Sequence, residues 1–236
     1  MSRLTCYRCF RPQSMCLCDA LTAMVTRTRF VLLMHPKEFK REKANTGRLT
    51  QLCLANSEIL VGTDFDDHEA VQARLANPAF LSVLLYPGNT ALNLSLDDPI
   101  PAAYCRKPLQ VFLLDATWSA ARKMLRLSPS LQRLPRIMFT PTAPSRYLIK
   151  QQPQEGCLST LETVHELLMV LQRTGLDDYP LPDQLLMVFA RMQQFQMECA
   201  ADPNLGGYRR QAYTAPAERT PAQGQSRKRR RYIKTD

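Results

Sequence analysis

The N-terminus of the chain carries the clearest chemical pattern, four cysteines within the first 18 of 236 residues. They form two close pairs, Cys6 with Cys9 and Cys16 with Cys18. Two such pairs can place four thiolates in a tetrahedron around one Zn2+ ion. The segment between the pairs is polar, so a bound metal, rather than an apolar core, would stabilise its fold. The spacing predicts a zinc knuckle over residues 1–22; an iron–sulfur cluster with the same ligands and unliganded thiols are the alternatives.

A second candidate site is the turn at Asp115, which directly follows the apolar run QVFLL. Its carboxylate could act as a base or orient a ligand, or it could cap the backbone N–H groups of a following helix. Thr117 could likewise either contact a ligand or cap the following helix. Trp118, the only tryptophan, is expected in core packing rather than as a stacking surface. His35 could titrate near neutrality, although a strand-end histidine bonded to the backbone is the interpretation we favour.

Short apolar runs alternate with amphipathic segments along the chain, which predicts strands alternating with helices. Strands are predicted at 29–34, 58–61, 81–85, 110–114 and 136–139. Helices are predicted at 48–55, 69–76, 119–127, 158–173 and 182–201. The stretches 36–47 and 141–153 are predicted to be irregular.

Almost wholly apolar strands in this alternation indicate an α/β fold, a mainly parallel sheet with helices on both faces. Such sheets bind ligands beyond the carboxyl ends of their strands. His35, the turn Tyr86-Pro87-Gly88 and Asp115 all follow predicted strands. We therefore expect one catalytic domain over residues 23–203, followed at 204–236 by a basic tail that is disordered when alone.

The motif Asp115-x-Thr117-Trp118, placed after a strand and behind the cysteine knuckle, resembles the signature of the DTW-domain family. Further similarities follow in the same order, at Asn45-Thr46-Gly47-Arg48, Tyr86-Pro87-Gly88, Ser145-Arg146-Tyr147 and Glu155-Gly156. The resemblance covers roughly residues 3–200 and leaves out the basic tail.

This resemblance implies a tRNA-uridine aminocarboxypropyltransferase with a SPOUT-like fold and a C-terminal knot. Such an enzyme transfers the 3-amino-3-carboxypropyl group of S-adenosylmethionine to N3 of a uridine and releases methylthioadenosine. Asp115 is then the leading catalytic candidate and His35 the second. The residues expected to bind the donor are Tyr86, Pro87, Gly88, Asp115, Ala116, Thr117, Trp118, Arg146, Tyr147, Leu148, Glu155, Gly156, Ser159 and Thr160.

The net charge of +10 is concentrated at the two ends of the chain. Residues 1–48 carry a net +7 and residues 216–236 a net +5. This distribution suits a polyanionic partner such as tRNA, and a merely solubilising surface is an equal alternative. The expected phosphate contacts are Lys37, Lys43, Arg48, Arg122, Lys123 and Arg126, while Arg3, Arg8 and Arg11 would make the knuckle basic.

Several classes are disfavoured by what the sequence lacks. No apolar run is long enough for a membrane span, and the N-terminus has no secretory signal, so a cytoplasmic protein with reduced thiols is predicted. No Gly-x-Gly and no Gly-x4-Gly-Lys occurs, which argues against a dinucleotide-type glycine loop and a P-loop. The oligomeric state is left open.

Two other functions remain compatible with the sequence. A SPOUT-like RNA methyltransferase would transfer the methyl group and release S-adenosylhomocysteine instead of methylthioadenosine. A non-catalytic zinc-knuckle protein would bind RNA equally well without the Asp115 carboxylate, but it gives no reason for the Asp-x-Thr-Trp motif.

Overall fold

The computed structural model describes residues 4–41, 45–96, 98–149 and 156–201, and within them six strands form one sheet. The strands are β1 (Arg29–Met34), β2 (Ser57–Val61), β3 (Leu81–Leu85), β4 (Leu92–Asn93), β5 (Leu109–Asp115) and β6 (Arg136–Met138). Their order is β2-β1-β5-β3-β6-β4, and every neighbouring pair is parallel. The predicted α/β class with a parallel sheet is confirmed.

Helices cover both faces of this sheet. They are α1 (Pro36–Arg41), α2 (Thr46–Cys53), α3 (Glu69–Leu75), α4 (Ala102–Arg106), α5 (Trp118–Leu127), α6 (Pro129–Gln132), α7 (Thr160–Arg173) and α8 (Gln184–Ala201). Because side chains alternate along a strand, Phe30 of β1 packs in a core with α2, α7 and α8, whereas Val31 packs in a second core with α3, α5 and α6.

The stretch 36–47 is not a loop as predicted, because helix α1 occupies its first half. Pro36 begins this helix at a position where proline's fixed φ and missing N–H are tolerated. Helix α2 also begins two residues earlier than predicted, since the Asn45 side chain accepts a hydrogen bond from the backbone N–H of Arg48 at 2.7 Å and caps it. Strand β4 and helices α4 and α6 were not predicted because they are too short to show a periodic pattern.

The cysteine segment packs against the end of the domain that carries α8. Leu17 and Leu21 are buried in the same core as α7 and α8. The side-chain amide of Gln184 donates to the carbonyl oxygen of Ala20 at 2.8 Å. The expected knot stays a prediction, because residues 150–155 lie outside the described ranges, as does the basic tail.

None of the helices among the described residues is both long enough and apolar enough to span a membrane.

Candidate active site

The three strands at the middle of the sheet bring the predicted site residues to one edge. His35 follows β1, Asp115 ends β5 and Tyr86 follows β3, and β5 lies between the other two. Met34 and Asp115 are register partners, and the backbone N–H of His35 donates to the carbonyl oxygen of Asp115 at 3.0 Å. The chain leads from β1 to β2 on one side of the sheet and from β5 to β6 on the other side. Open parallel sheets form their ligand crevice between two strands whose connections diverge in this way.

Asp115 is buried, and two helices begin against its carboxylate. Its Oδ1 accepts a hydrogen bond of 2.6 Å from the hydroxyl of Thr160, the first residue of α7. Gly47, in the first turn of α2, lies so close that an added Cβ would collide with Oδ2 and stand 2.9 Å from Cγ of Asp115. The N-termini of both helices, which carry partial positive charge, therefore face the Asp115 carboxylate.

The helix that follows Asp115 is capped by a different residue. The hydroxyl of Thr117 accepts a hydrogen bond from the backbone N–H of Ala120 at 3.4 Å and caps α5. From the sequence, either Asp115 or Thr117 could have capped this helix. Thr117 caps it, and the Asp115 carboxylate instead accepts a hydrogen bond from the first residue of α7.

His35 is tied to the backbone through one ring nitrogen, as expected of a histidine at a strand end. Its Nδ1 accepts a hydrogen bond of 3.1 Å from the backbone N–H of Lys37. Burial, followed by the charges of Lys37 and Lys123, lowers the pKa of His35 below its ordinary value of 6.5. The ring is therefore neutral at neutral pH, and with Nδ1 accepting, its proton is on Nε2.

The segment at residues 145–148 is fixed by a buried carboxylate that the sequence analysis did not include in the site. Glu162 of α7 accepts hydrogen bonds from the backbone N–H of Arg146 at 2.6 Å and from the hydroxyl of Ser145 at 2.8 Å. It also accepts the backbone N–H of Ser159 at 2.9 Å, which completes a capping box. The Ser-x-x-Glu spacing is the sequence signal that could have identified Glu162.

Gln193 of α8 holds the same segment from the other side and was also missed. Its side-chain oxygen accepts the backbone N–H of Leu148 at 2.5 Å, and its side-chain nitrogen donates to the carbonyl oxygen of Arg146 at 3.0 Å. The Tyr147 ring meets Phe189 edge to face, with centroids 5.1 Å apart. No local pattern marks Gln193, because its backbone partners are 45 and 47 residues away.

Trp118 is 46% exposed, so the expectation that it lies in the core is wrong. Trp118 is the first residue of α5, whereas the first buried residue of this helix is Ala121, one turn later. The Trp118 side chain therefore lies beyond the end of β5. Its ring meets Tyr86 in an edge-on arrangement with centroids 6.3 Å apart. The guanidinium carbon of Arg136 lies 5.7 Å from the Tyr86 ring centroid. Arg136 was not among the predicted residues, and no sequence pattern marks it.

The four N-terminal cysteines converge as predicted, with all their sulfur atoms within 4.8 Å of one another. The Sγ atoms of Cys6 and Cys18 are 3.7 Å apart and those of Cys9 and Cys16 are 3.8 Å apart. Backbone N–H groups of Cys9 and Arg8 lower the pKa of Cys6 to about 6, whereas burial and the neighbouring thiols raise the pKa of Cys18. Four thiols at this spacing are a donor set that fits one zinc ion.

An arginine of α2 joins the cysteine segment to the site. The Arg48 guanidinium lies between two rings, 4.2 Å from the centroid of Phe10 and 4.8 Å from that of Phe39. Arg11, expected to make the knuckle surface basic, is only 5% exposed, and that expectation is wrong for it. Arg8 is exposed, as predicted.

The remaining predicted residues fall into three groups. Those exposed at the surface are Lys37, Pro87, Arg122, Lys123, Arg126, Arg146, Leu148 and Gly156. Those partly buried are Tyr86, Gly88, Ala116, Tyr147 and Thr160, and Ser159 is buried. Arg3, Lys43 and Glu155 lie outside the described residues.

The fold and the candidate site together define a class: an α/β protein with a buried aspartate at the carboxyl edge of a parallel sheet and a four-cysteine cluster packed against the same domain. The sequence model of the DTW domain matches residues 3–197, and the chain belongs to that family.

The relatives of this chain carry consistent names. It is 35% identical over 177 residues to tRNA-uridine aminocarboxypropyltransferase 2 of Drosophila melanogaster, covering 72% of this chain and 67% of that protein. It is 30% identical over 211 residues to the Mus musculus protein of the same name, covering 86% and 67%. It is 25% identical over 217 residues to tRNA-uridine aminocarboxypropyltransferase A of Arabidopsis thaliana, covering 82% and 81%. No solved structure matches this chain.

Proposed function

We propose that this chain is a tRNA-uridine aminocarboxypropyltransferase, which joins the 3-amino-3-carboxypropyl group of S-adenosylmethionine to N3 of a uridine in tRNA. The observation that carries the proposal is its family membership together with relatives of that name at up to 35% identity. The buried carboxylate at the carboxyl edge of the sheet supports a catalytic protein over a purely RNA-binding one.

Binding the donor in one orientation is the main task of such a site. When bound, the donor supplies a sulfonium with three activated carbons, and the protein must present the amino-acid arm rather than the methyl group to the uridine. The segment Arg146–Leu148, whose backbone Glu162 and Gln193 hold in place, and the turn at Tyr86–Gly88 are proposed to line the adenine site. The backbone N–H groups at the start of α5 suit the donor carboxylate.

Asp115 is the proposed proton acceptor for uridine N3. Its carboxylate lies at the first turns of α2 and α7, and in its ionised form it can accept a proton. The hydroxyl of Thr160 holds Oδ1 and thereby orients the group. His35, neutral with a proton on Nε2, is better suited to donate a hydrogen bond to the uridine than to act as the base.

The remaining parts of the proposal concern the metal, the RNA and the compartment. We infer that Cys6, Cys9, Cys16 and Cys18 hold one structural Zn2+ in the cytoplasm, where thiols stay reduced. Exposed cations on α5, Arg122, Lys123 and Arg126, are proposed to contact tRNA phosphates.

Mass spectrometry of tRNA nucleosides tests the proposal directly. Cells that lack the gene should lose 3-(3-amino-3-carboxypropyl)uridine, and the wild-type gene should restore it. Asp115→Asn should not restore it. Asp177→Asn is the matched control, because Asp177 is also a buried aspartate but accepts the backbone N–H groups of Arg27 and Thr28 outside the site. Unchanged modified uridine in the deletion strain, or loss of a methylated nucleoside instead, would overturn the proposal.

A further inference from the structure

We propose that the surface formed by Phe10, Phe39 and Arg48 is a docking site for the tRNA substrate, with the Phe10 ring stacked on an unpaired base. This surface, called the knuckle surface below, joins the cysteine segment to helices α1 and α2. The inference rests on the proposed function and extends it to the place where the protein holds the RNA.

Phe10 is exposed although its backbone conformation is unfavourable for a side chain. Its φ is 57°, and within the part of the chain that the structure describes no other residue except glycine has a positive φ. Glycine adopts this left-handed conformation freely, whereas a residue with a Cβ is disfavoured in it. Because 59% of Phe10 is exposed, burial of the ring offsets little of this cost. Glycine would serve the fold as well, so the ring indicates a function outside the fold.

The Phe10 ring is held from one side by Arg48. The guanidinium carbon of Arg48 lies 4.2 Å from the Phe10 centroid and 4.8 Å from that of Phe39, which is itself 41% exposed. Tyr7, exposed by 92%, adds a third ring on the same cysteine segment. Aromatic rings fixed at a surface in this way stack on unpaired bases, because every base has a flat face.

The segments that carry these rings are positively charged. Residues 1–48 have a net charge of +7, and Arg8, Lys37 and Lys40 are exposed on them. RNA supplies bases and negative phosphates together, which is the combination that aromatic and cationic side chains bind. This charge complementarity selects tRNA, which the proposed reaction already requires, as the occupant of the knuckle surface.

The knuckle surface adjoins the candidate active site. Arg48 directly follows Gly47, which lies against the Asp115 carboxylate. The backbone N–H of Phe39 donates to the carbonyl oxygen of His35 at 3.2 Å. RNA bound on this surface therefore passes beside the edge of the sheet where the uridine must be placed. None of the three residues of the knuckle surface is among those proposed to bind the donor.

Exchange of Phe10 for glycine separates RNA binding from folding. Phe10→Gly should keep its zinc and a melting temperature near the wild-type value, because glycine suits the left-handed backbone. Filter binding of unmodified tRNA to the full-length, zinc-loaded protein should show a Kd raised by about tenfold or more. KM for tRNA should rise in parallel, while kcat and KM for the donor stay the same. Phe10→Trp, which keeps a flat ring, should retain the wild-type affinity.

Phe80→Gly is the matched control. The Phe80 ring also lies against an arginine, with the guanidinium carbon of Arg29 at 4.1 Å from its centroid, but at the amino edge of the sheet. This variant should lose stability and keep the tRNA affinity of its folded fraction. Inorganic polyphosphate is the matched ligand, because it has charge but no bases. The wild-type protein and Phe10→Gly should bind it equally well.

Three results would overturn the inference. The first is an unchanged Kd for tRNA in Phe10→Gly. The second is an equal loss of affinity for tRNA and for polyphosphate, which would leave the ring no stacking role. The third is loss of zinc or a lowered melting temperature in Phe10→Gly, which would show that the ring serves the fold.

The two proposals fail in different ways. If the wild-type protein transfers the aminocarboxypropyl group and Phe10→Gly has the same KM for tRNA, the docking site is wrong and the function stands. If the wild-type protein transfers nothing to tRNA but its tRNA affinity depends on Phe10 as described, the proposed function is wrong and the docking site stands.

Discussion

Gly47 is the position where the smallest change should disturb the site most. In the structure its Cα faces the Asp115 carboxylate, and an added Cβ would stand 2.9 Å from Cγ of Asp115 and 3.0 Å from Cε of Met34. Comfortable carbon–carbon contacts are about 3.5–4.0 Å. The added Cβ would stand closer still to Oδ2, so the Gly47→Ala variant must move the Asp115 carboxylate by roughly 1 Å or more to restore ordinary contact.

The expected effect falls mainly on catalysis. Alanine in place of glycine within a helix is worth about 0.5–1 kcal/mol in favour of folding, and overpacking costs about 1–3 kcal/mol. The free energy of unfolding should therefore fall by only about 0–2.5 kcal/mol. A displacement of about 1 Å at a catalytic group can lower the rate about a hundredfold. We therefore expect a large loss of turnover with only a small loss in the free energy of unfolding.

Turnover and urea denaturation of the purified protein test this expectation. The control is Gly62→Ala, which also creates a close contact, 2.9 Å to Cε1 of Phe65, but does so away from Asp115. This control should lose stability and keep the turnover of its folded fraction. If Gly47→Ala retains wild-type turnover, the Asp115 carboxylate does not act from the position described here.

Three further predictions concern the groups around the site. Thr160→Val should lower the free energy of unfolding by about 1.5–3 kcal/mol and reduce turnover, because it removes the hydrogen bond to Asp115, and Thr160→Ser should retain both in urea titrations and rate assays. Cys16→Ser should lower the zinc content measured by atomic emission and the melting temperature, and unchanged zinc would refute the four-thiolate site. The lowered pKa of His35 means that the unfolded chain takes up its proton first, so stability is full above about pH 6.5 and falls as the pH drops below it. His35→Gln should make the melting temperature less sensitive to pH in that window, and equal slopes would contradict this.

The longer strands were predictable because each is a short run made mostly of apolar residues. The strands at 29–34 and 81–85 match residue for residue, since each is a short apolar run with a single polar residue, Arg29 in the first and Ser82 in the second. The start of α2 was misjudged because its cap is a single hydrogen bond, which the Asn45 side chain accepts from the backbone N–H of Arg48 and which hydrophobic periodicity does not register.

The site was predictable only as far as neighbouring residues define it. The sequence identified Asp115, but its bond to Thr160 spans 45 residues, and its contact with Gly47 joins two different elements. The burial of Trp118 was misjudged for a related reason. Tryptophan is usually found in the core. Trp118 is exposed because it is the first residue of α5, and α5 begins beyond the end of β5, which the sequence does not show.

The most direct test of the central claim follows the fate of the donor's carbon atoms. Purified, zinc-loaded protein is incubated with unmodified tRNA and S-adenosylmethionine labelled either in the methyl group or in the amino-acid arm. We expect label in tRNA uridine only from the arm, together with release of methylthioadenosine. Label entering RNA from the methyl group, or from neither position, would contradict it.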